Sequence, residues 1–350
     1  MDAAKPPLNS RRQAILEILV TDYIRTAMPV ASQQIAARGD LSVSPATIRN
    51  DMAELEELGF ISRPHTSAGG VPADLAYRFH VERSGGTARA PREFELLVRR
   101  SINVEDADFD SWARAAANVL ARTIQNGAIA TAPRVFQTRL KQLQLVSLGE
   151  FHALLVLVMQ EARVRQHLIQ FPTHVIQDQL TALALKLNTT MSGKTPQEIR
   201  ATWDSQEHDA LSDLVIAEAV QLMVQEEQDE PQRSYVDGLR HILGQPEFAS
   251  GLRAREAAEV LEDTRVLRPV LNEGQEPGQV RVIIGEEHAD QQLRPYSIVL
   301  AQYGVPGEAT GVLCAIGPTR MDYSRSIATV RYLADFLTRL TAALEQKEPK

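Results

Sequence analysis

The chain has one cysteine in 350 residues, few aromatic side chains (5%) and no long apolar run. Each scarcity excludes something. The lone cysteine, Cys314, cannot close an intrachain disulfide and offers no pair for a zinc site. Set in the apolar stretch "TGVLCAIGP", it reads as core. The longest strongly apolar run, "ALLVLVM" from Ala153 to Met159, falls far short of the roughly 20 residues that cross a bilayer. The opening "MDAAKPPLNSRRQ" carries no apolar core of the kind a secretory signal needs, so the expectation is a cytoplasmic protein with no membrane contact. What is present is globular in proportion, with 44% hydrophobic and 23% charged residues, and the length predicts roughly two or three domains. The formal net charge is −8, but residues 1–83 are close to balance. The acidity therefore belongs mainly to the rest of the chain and does not argue against a nucleic-acid-binding front.

Within residues 1–83, Leu16, Leu19, Val20 and Tyr23 fall at the i, i+3, i+4, i+7 spacing of one helix face, capped by Asn9 or Ser10 and ended before Pro29. Ser32 is expected to cap a short second helix through "QQIAAR". A third begins at Ser44 with Pro45 at its first position, where the missing N–H costs nothing, and stops at Gly59. Phe60 and Ile61 then enter "SRPHTSAGGVP", a Pro/Gly/Ser-rich segment suited to a hairpin tip. Three short helices and a hairpin are the layout of a winged helix-turn-helix, whose third helix enters the major groove by its N-terminal residues.

The third helix, "SPATIRNDMAELEELG", suits that task at its start. With Ile48, Met52 and Leu55 as the buried stripe, a rotation of about 100° per residue puts Ala46, Asn50, Ala53 and Glu57 opposite, flanked by Thr47 and Arg49. Arg49 has the fork that pairs with guanine, Asn50 the amide that pairs with adenine, and Thr47 can reach a phosphate or a thymine methyl; Ser44, Pro45 and Ala46 form a small, close-approaching first turn. Glu54, Glu56 and Glu57 would be repelled by a duplex but lie two or more turns, roughly 10 Å, farther along. The plain alternative is a capped surface helix with Arg49 paired to Asp51 or a nearby glutamate. The hairpin weighs against it: Arg63, His65 and Ser67 suit phosphate contacts from a wing, with Arg78 as a further backbone contact.

Beyond residue 83, "RSGGTARAPRE" has linker composition. Strand-like runs, then helices, then strands again predict an α+β protein: a winged helix-turn-helix over 1–83, a linker over 84–110, and a sheet domain in two parts, 111–172 and 251–345, interrupted by a mainly helical insertion over 173–250. Ile176, Leu180, Leu183 and Leu187 make one helical stripe of the insertion, and "QEEQDEPQ" reads as an acidic loop. One helix is expected over about 252–272, and a final amphipathic helix carries Ile327, Val330, Leu333 and Leu337. "IGEEH" reads as a solvated strand end, since adjacent residues of an extended chain point apart and no metal site is formed. "GPTRMDYSR" is either a turn with a helix cap or, through Arg320, Asp322 and Tyr323, the lining of a pocket or partner surface. No local motif carries a nucleophile–base or paired-carboxylate arrangement, and no cofactor motif is legible, so an enzyme is not expected.

"PVASQQIA", "LSVSPATIRNDMAELEELGFISRPHTSAG", "IGEE" and "IGPTRMDYSR" together resemble, in the same order, the HrcA family of bacterial heat-inducible transcription repressors. The resemblance implies that the sheet domain is GAF-like and the insertion a dimerisation domain. It further implies a homodimer that represses chaperone operons through an inverted-repeat operator called CIRCE, with activity tuned by the GroE chaperonin. The chain departs from the family pattern at Gly70, Ala73 and Ala76, where Arg, Thr and Gly are usual; Asp74 is expected to supply the helix cap that Ala73 cannot. The alternative to this reading is a small-molecule-responsive regulator of a different operon.

Overall fold

Asn9 caps the first helix as its composition predicts: its side chain accepts from the backbone N–H of Arg12 at 2.9 Å. In the computed structural model, which describes the chain apart from residues 1–7, 39–40, 42, 64–68, 85–87, 104–107, 136–137, 161–162, 205–208, 230–232, 263, 273–277, 307–308 and 346–350, the elements run in this order. The N-terminal helices are α1 (Ser10–Thr26), α2 (Ser32–Ala37) and α3 (Pro45–Glu57), followed by β1 (Ile61–Ser62), β2 (Val71–Pro72) and α4 (Asp74–Ser84). Next come α5 (Arg92–Ser101), α6 (Phe109–Ile124), β3 (Gly127–Thr131), β4 (Arg134–Val135), β5 (Leu140–Ser147), β6 (His152–Met159) and β7 (Val164–Gln170). Helices α7 (Gln177–Met191), α8 (Pro196–Trp203) and α9 (Ala210–Asp229) precede β8 (Ser234–Asp237), α10 (Leu239–Leu243), α11 (Gly251–Glu262) and α12 (Thr264–Asn272). The chain closes with β9 (Val280–Ile284), β10 (Tyr296–Val305), β11 (Ala309–Pro318) and α13 (Tyr323–Glu345). Among the described residues no helix is long and apolar enough to cross a membrane.

The chain forms two compact units, one of Met1–Pro133, Arg233–Val305 and Gly311–Lys350, the other of Arg134–Gln232 and Pro306–Thr310. In the first, strands lie in the order β8-β3-β11-β10-β9. β10 and β11 are buried almost throughout because both faces of the sheet are covered. Val299, Ala301, Tyr303, Leu313 and Ala315 share one core with α6, α13 and the N-terminal helices. Ile298, Leu300, Val312, Cys314 and Ile316 share another with residues of α10, α11 and α12. Cys314 is thus core as expected, its thiol pushed up to about 12 by burial.

The second unit is a β5-β6-β7 meander covered on one face by helices. Leu143, Leu145, Leu155, Leu157 and Ile169 point inward against Leu180, Leu187, Val215 and Met223. Asn188 of α7 bonds both the N–H and the C=O of Leu143, each at 2.7 Å, and so satisfies part of the β5 edge. On the other face Val146, Val164 and Leu168 stand 42%, 53% and 54% exposed.

Several expectations need correction. The second compact unit is not the helical segment 173–250: it begins at Arg134, because β5–β7 bury their apolar face on α7 and α9. The expected linker 84–110 contains α5, whose Phe94 and Val98, one helical turn apart, are buried in the main core. Ser32 is not the α2 cap; Ala31 holds that place, its N–H donating to Gln34 Oε1 at 2.8 Å. Ile176 is 47% exposed, since it precedes the first turn of α7. "QEEQDEPQ" is no free loop, for α9 runs on to Asp229 and Glu226 pairs with Arg165. The helix expected over about 252–272 is helical at every described residue, as α11 and α12 on either side of residue 263, which lies outside the described residues.

Candidate nucleic-acid interface

α1, α2 and α3 pack through Leu16, Leu19, Val20, Ile35, Ile48, Met52 and Leu55, each at most 2% exposed, so the predicted stripe of α3 is its buried face. The wing strands pair Ile61 with Pro72 and Ser62 with Val71. Val30 and Gly70 exchange two 2.9 Å backbone hydrogen bonds, pinning the returning strand to the α1–α2 connection. A Cβ at Gly70 would come within 3.0 Å of Leu19 Cδ1 and Met52 Cε, so this departure from the family pattern falls on an inward-facing position.

Ser44 caps α3, its Oγ accepting from Thr47 N at 3.2 Å and bonding Thr47 Oγ1 at 3.0 Å. Ser44, Pro45, Ala46, Arg49 and Asn50 are exposed and Thr47 is half-buried, so the structure brings these six candidates together on one accessible helix start. Arg49 does not pair with Asp51. Asp51 is 2% exposed and faces α1, where Arg11 Nε and Nη2 reach its two oxygens at 2.6 and 3.0 Å and Arg12 Nε adds a bond at 3.3 Å. The Arg11 hydrogen bond, opposed by burial, holds the Asp51 carboxyl below the usual carboxylate range. The sequence signal that could have found it is weak: Asp51 lies beside Met52 on the inner side of α3, three residues on from Ile48.

The acidic back half of α3 is largely neutralised from within. Glu54 pairs with Arg12, and Glu56 lies 3.3 Å from Arg63 Nε. Arg63, expected on the wing, is thus folded back against α3, with 18% of its side chain exposed. His65 and Ser67 lie outside the described residues.

Arg78 is where expectation and structure part. Its Nε donates to Glu287 Oε1 at 2.7 Å, and its Nη2 donates to Glu287 Oε2 and, at 2.8 Å, to Val282 O. It is bound to the sheet and not held out toward a phosphate. Asp74, expected to cap α4, instead accepts from Glu286 N at 2.9 Å. "IGEEH" is accordingly not a solvated strand end. Gly285–Glu287 forms a 3-10 turn, and His288 is 3% exposed.

Arg320, Asp322 and Tyr323 are likewise committed. Arg320 donates to Glu247 Oε1 at 2.5 Å, Gln245 Oε1 at 2.6 Å and Ile24 O at 3.1 Å. Asp322 caps α13 by accepting from Arg325 N at 3.0 Å, and Tyr323 is fully buried with its hydroxyl 2.7 Å from Ser297 Oγ. A separate open cavity of about 1500 Å³ is lined by Phe248, Tyr296, Arg253, Arg294 and five acidic residues that include Glu256 and Asp74; Arg320, Asp322 and Tyr323 are not among its walls.

Residues 110–327 match the family of the HrcA protein C terminal domain, and residues 11–71 match the DeoR-like helix-turn-helix domain. The chain is 40% identical over 354 residues to the heat-inducible transcription repressor HrcA of Chloroflexus aggregans, covering 97% of this chain and 94% of that one. It is 36% identical over 342 residues to the same repressor of Dehalococcoides mccartyi, covering 98% of each. A crystal structure of a hypothetical protein at 2.2 Å resolution shares the fold, with a TM-score of 0.61 at 24% identity over 96% of this chain and 99% of that one. An N-terminal region matched as a helix-turn-helix, joined to a C-terminal region matched along most of its length, places the chain in the HrcA family of heat-inducible transcription repressors, which are DNA-binding proteins and not enzymes.

Proposed function

We propose that the chain is a cytoplasmic homodimer that represses heat-shock chaperone operons by binding an inverted-repeat operator of the CIRCE type. Each subunit lays the start of α3 in a major groove, with Thr47, Arg49 and Asn50 on base edges and Ser44, Ala46 and Arg63 near the backbone; His65 and Ser67 extend that contact from the wing. The observation that carries the reading is the start of α3, where the side chains of Arg49 and Asn50 are exposed and, among the described residues, have no hydrogen-bond or ion-pair partner. Two-fold symmetry of the protein then calls for an inverted repeat in the DNA.

In this reading the larger sheet with its covering helices is a GAF-like domain, and the unit from Arg134 to Gln232 is the inserted dimerisation domain. The exposed apolar row Val146, Val164 and Leu168 supports a second copy as its cover. Leu168→Glu is expected to raise the monomer fraction in sedimentation. The GroE chaperonin tunes activity, as the family resemblance implies; adding it to purified protein is expected to raise the operator-binding fraction.

Anisotropy of the full chain on a labelled CIRCE-type repeat and a scrambled duplex across a salt series tests the central claim. Tight binding to the repeat alone is the expected result. Equal, weak and steeply salt-dependent binding to both would overturn the operator assignment. The cavity beside Phe248 and Tyr296 favours one second reading, a small-molecule-responsive regulator of another operon. That reading calls for a small molecule that raises the melting temperature and shifts DNA affinity together.

A further inference from the structure

Two motifs remain without a task when α3 is assigned to DNA: "IGEE" and "GPTRMDYS". Both grip the N-terminal helices. Asp74 and Arg78 lie one turn apart on α4, and both reach the Gly285–Glu287 turn, Asp74 to the Glu286 N–H and Arg78 to the Glu287 carboxylate. Gly285 is what permits the approach: its φ is +50°, and a Cβ there would stand 2.0 Å from Asp74 Oδ2. At the second motif, Arg320 donates to the carbonyl of Ile24 in the last turn of α1, where carbonyls lack helical partners and a cation is favoured. Glu247 and Gln245 hold that guanidinium in place, and only 12% of the Arg320 side chain is exposed. Between the two grips the buried rings of Tyr77 and Tyr323 meet at 5.8 Å.

We propose that these two motifs form a docking platform for the chain's own winged-helix domain, with Arg78 and Arg320 as positioning residues that fix the direction in which α3 is presented. The inference rests on the reading of α3 as the DNA-reading helix. Its consequence is specific to a two-site ligand. Once one reading helix is bound, the second finds its half-site at an effective concentration set by how narrowly its direction is held. Loosening the dock therefore leaves each half-site contact intact and removes the gain from having two.

The test uses the full chain with Glu287→Gln and, separately, Arg320→Lys, neither of which alters α3. Affinities are measured for a duplex with the complete inverted repeat and for one with a single half-site, and hydrogen exchange is followed in α1–α4, with α7–α9 as the control for folding. The expected result is a loss of about tenfold on the complete repeat, half-site affinity within about twofold of the unsubstituted chain, and faster exchange in α1–α4. A parallel loss on both duplexes, a gain on both as Arg78 is released toward phosphate, or no change on either overturns the dock. Should the unsubstituted chain bind neither duplex, it is the DNA-reading assignment that fails. Exchange then decides the dock: faster in α1–α4 supports it and unchanged overturns it.

Discussion

Arg49 and Arg78 both read from the sequence as DNA contacts, and the fold treats them in opposite ways. The Arg49 side chain stands exposed at the start of α3 with no partner among the described residues. Arg78 has three hydrogen bonds, all to the segment 282–287. A guanidinium already desolvated against a carboxylate would have to give up those bonds before meeting a phosphate, whereas an unpaired one exchanges only water. Pairing, more than position along a motif, decides which cation is available to a polyanion.

Asp51 is the sharpest place to break this contrast, because it holds Arg11 and, together with Glu54, Arg12, the two arginines of α1 beside α3. Asp51→Ala is expected to cost about 2–3 kcal/mol of stability, less than a fully buried pair because both guanidiniums keep access to water. The carboxyl titrates below its ordinary range when folded. Its contribution is therefore complete above about pH 5 and is lost as pH falls below the ordinary carboxylate range and through the lower folded-state value. Denaturation midpoints of the two proteins should stay a constant distance apart above about pH 5 and converge in acid; a gap that persists in acid would assign the effect to packing.

Arg49→Ala should cost about 1–3 kcal/mol on the inverted repeat and relax its preference over scrambled DNA. Equal weakening on both duplexes would mean that Arg49 touches only the backbone. The smallest effect is expected at Arg63, which the structure places between the two cases, 3.3 Å from Glu56 and partly exposed. Arg63→Ala should weaken every sequence alike by under about 1 kcal/mol and lower the salt slope by about one. An unchanged slope would class Arg63 with Arg78 as an internal ion-pair partner.

Local chemistry explains which features were legible in advance. The caps Asn9 and Ser44, the Pro45 start and the buried stripe Ile48, Met52 and Leu55 depend on near neighbours, so residue order alone carries them. β10 and β11 were legible as apolar runs because both faces are covered. The start of the second unit was not, since β5 and β6 alternate as any one-face-buried strands do and only packing on α7 and α9 assigns them.

By itself, then, the sequence determined the helix-turn-helix, the exposed first turn of α3 and the membership of the repressor family, all of them properties of contiguous motifs. Tertiary structure alone decided that Asp51 is a strut, that Arg78 faces Glu287 across 209 residues of chain, and that Arg320 reaches Ile24 across 296. Ion pairs between distant segments leave no periodicity and no spacing to read, because charge attracts through space while pattern is written only along the chain.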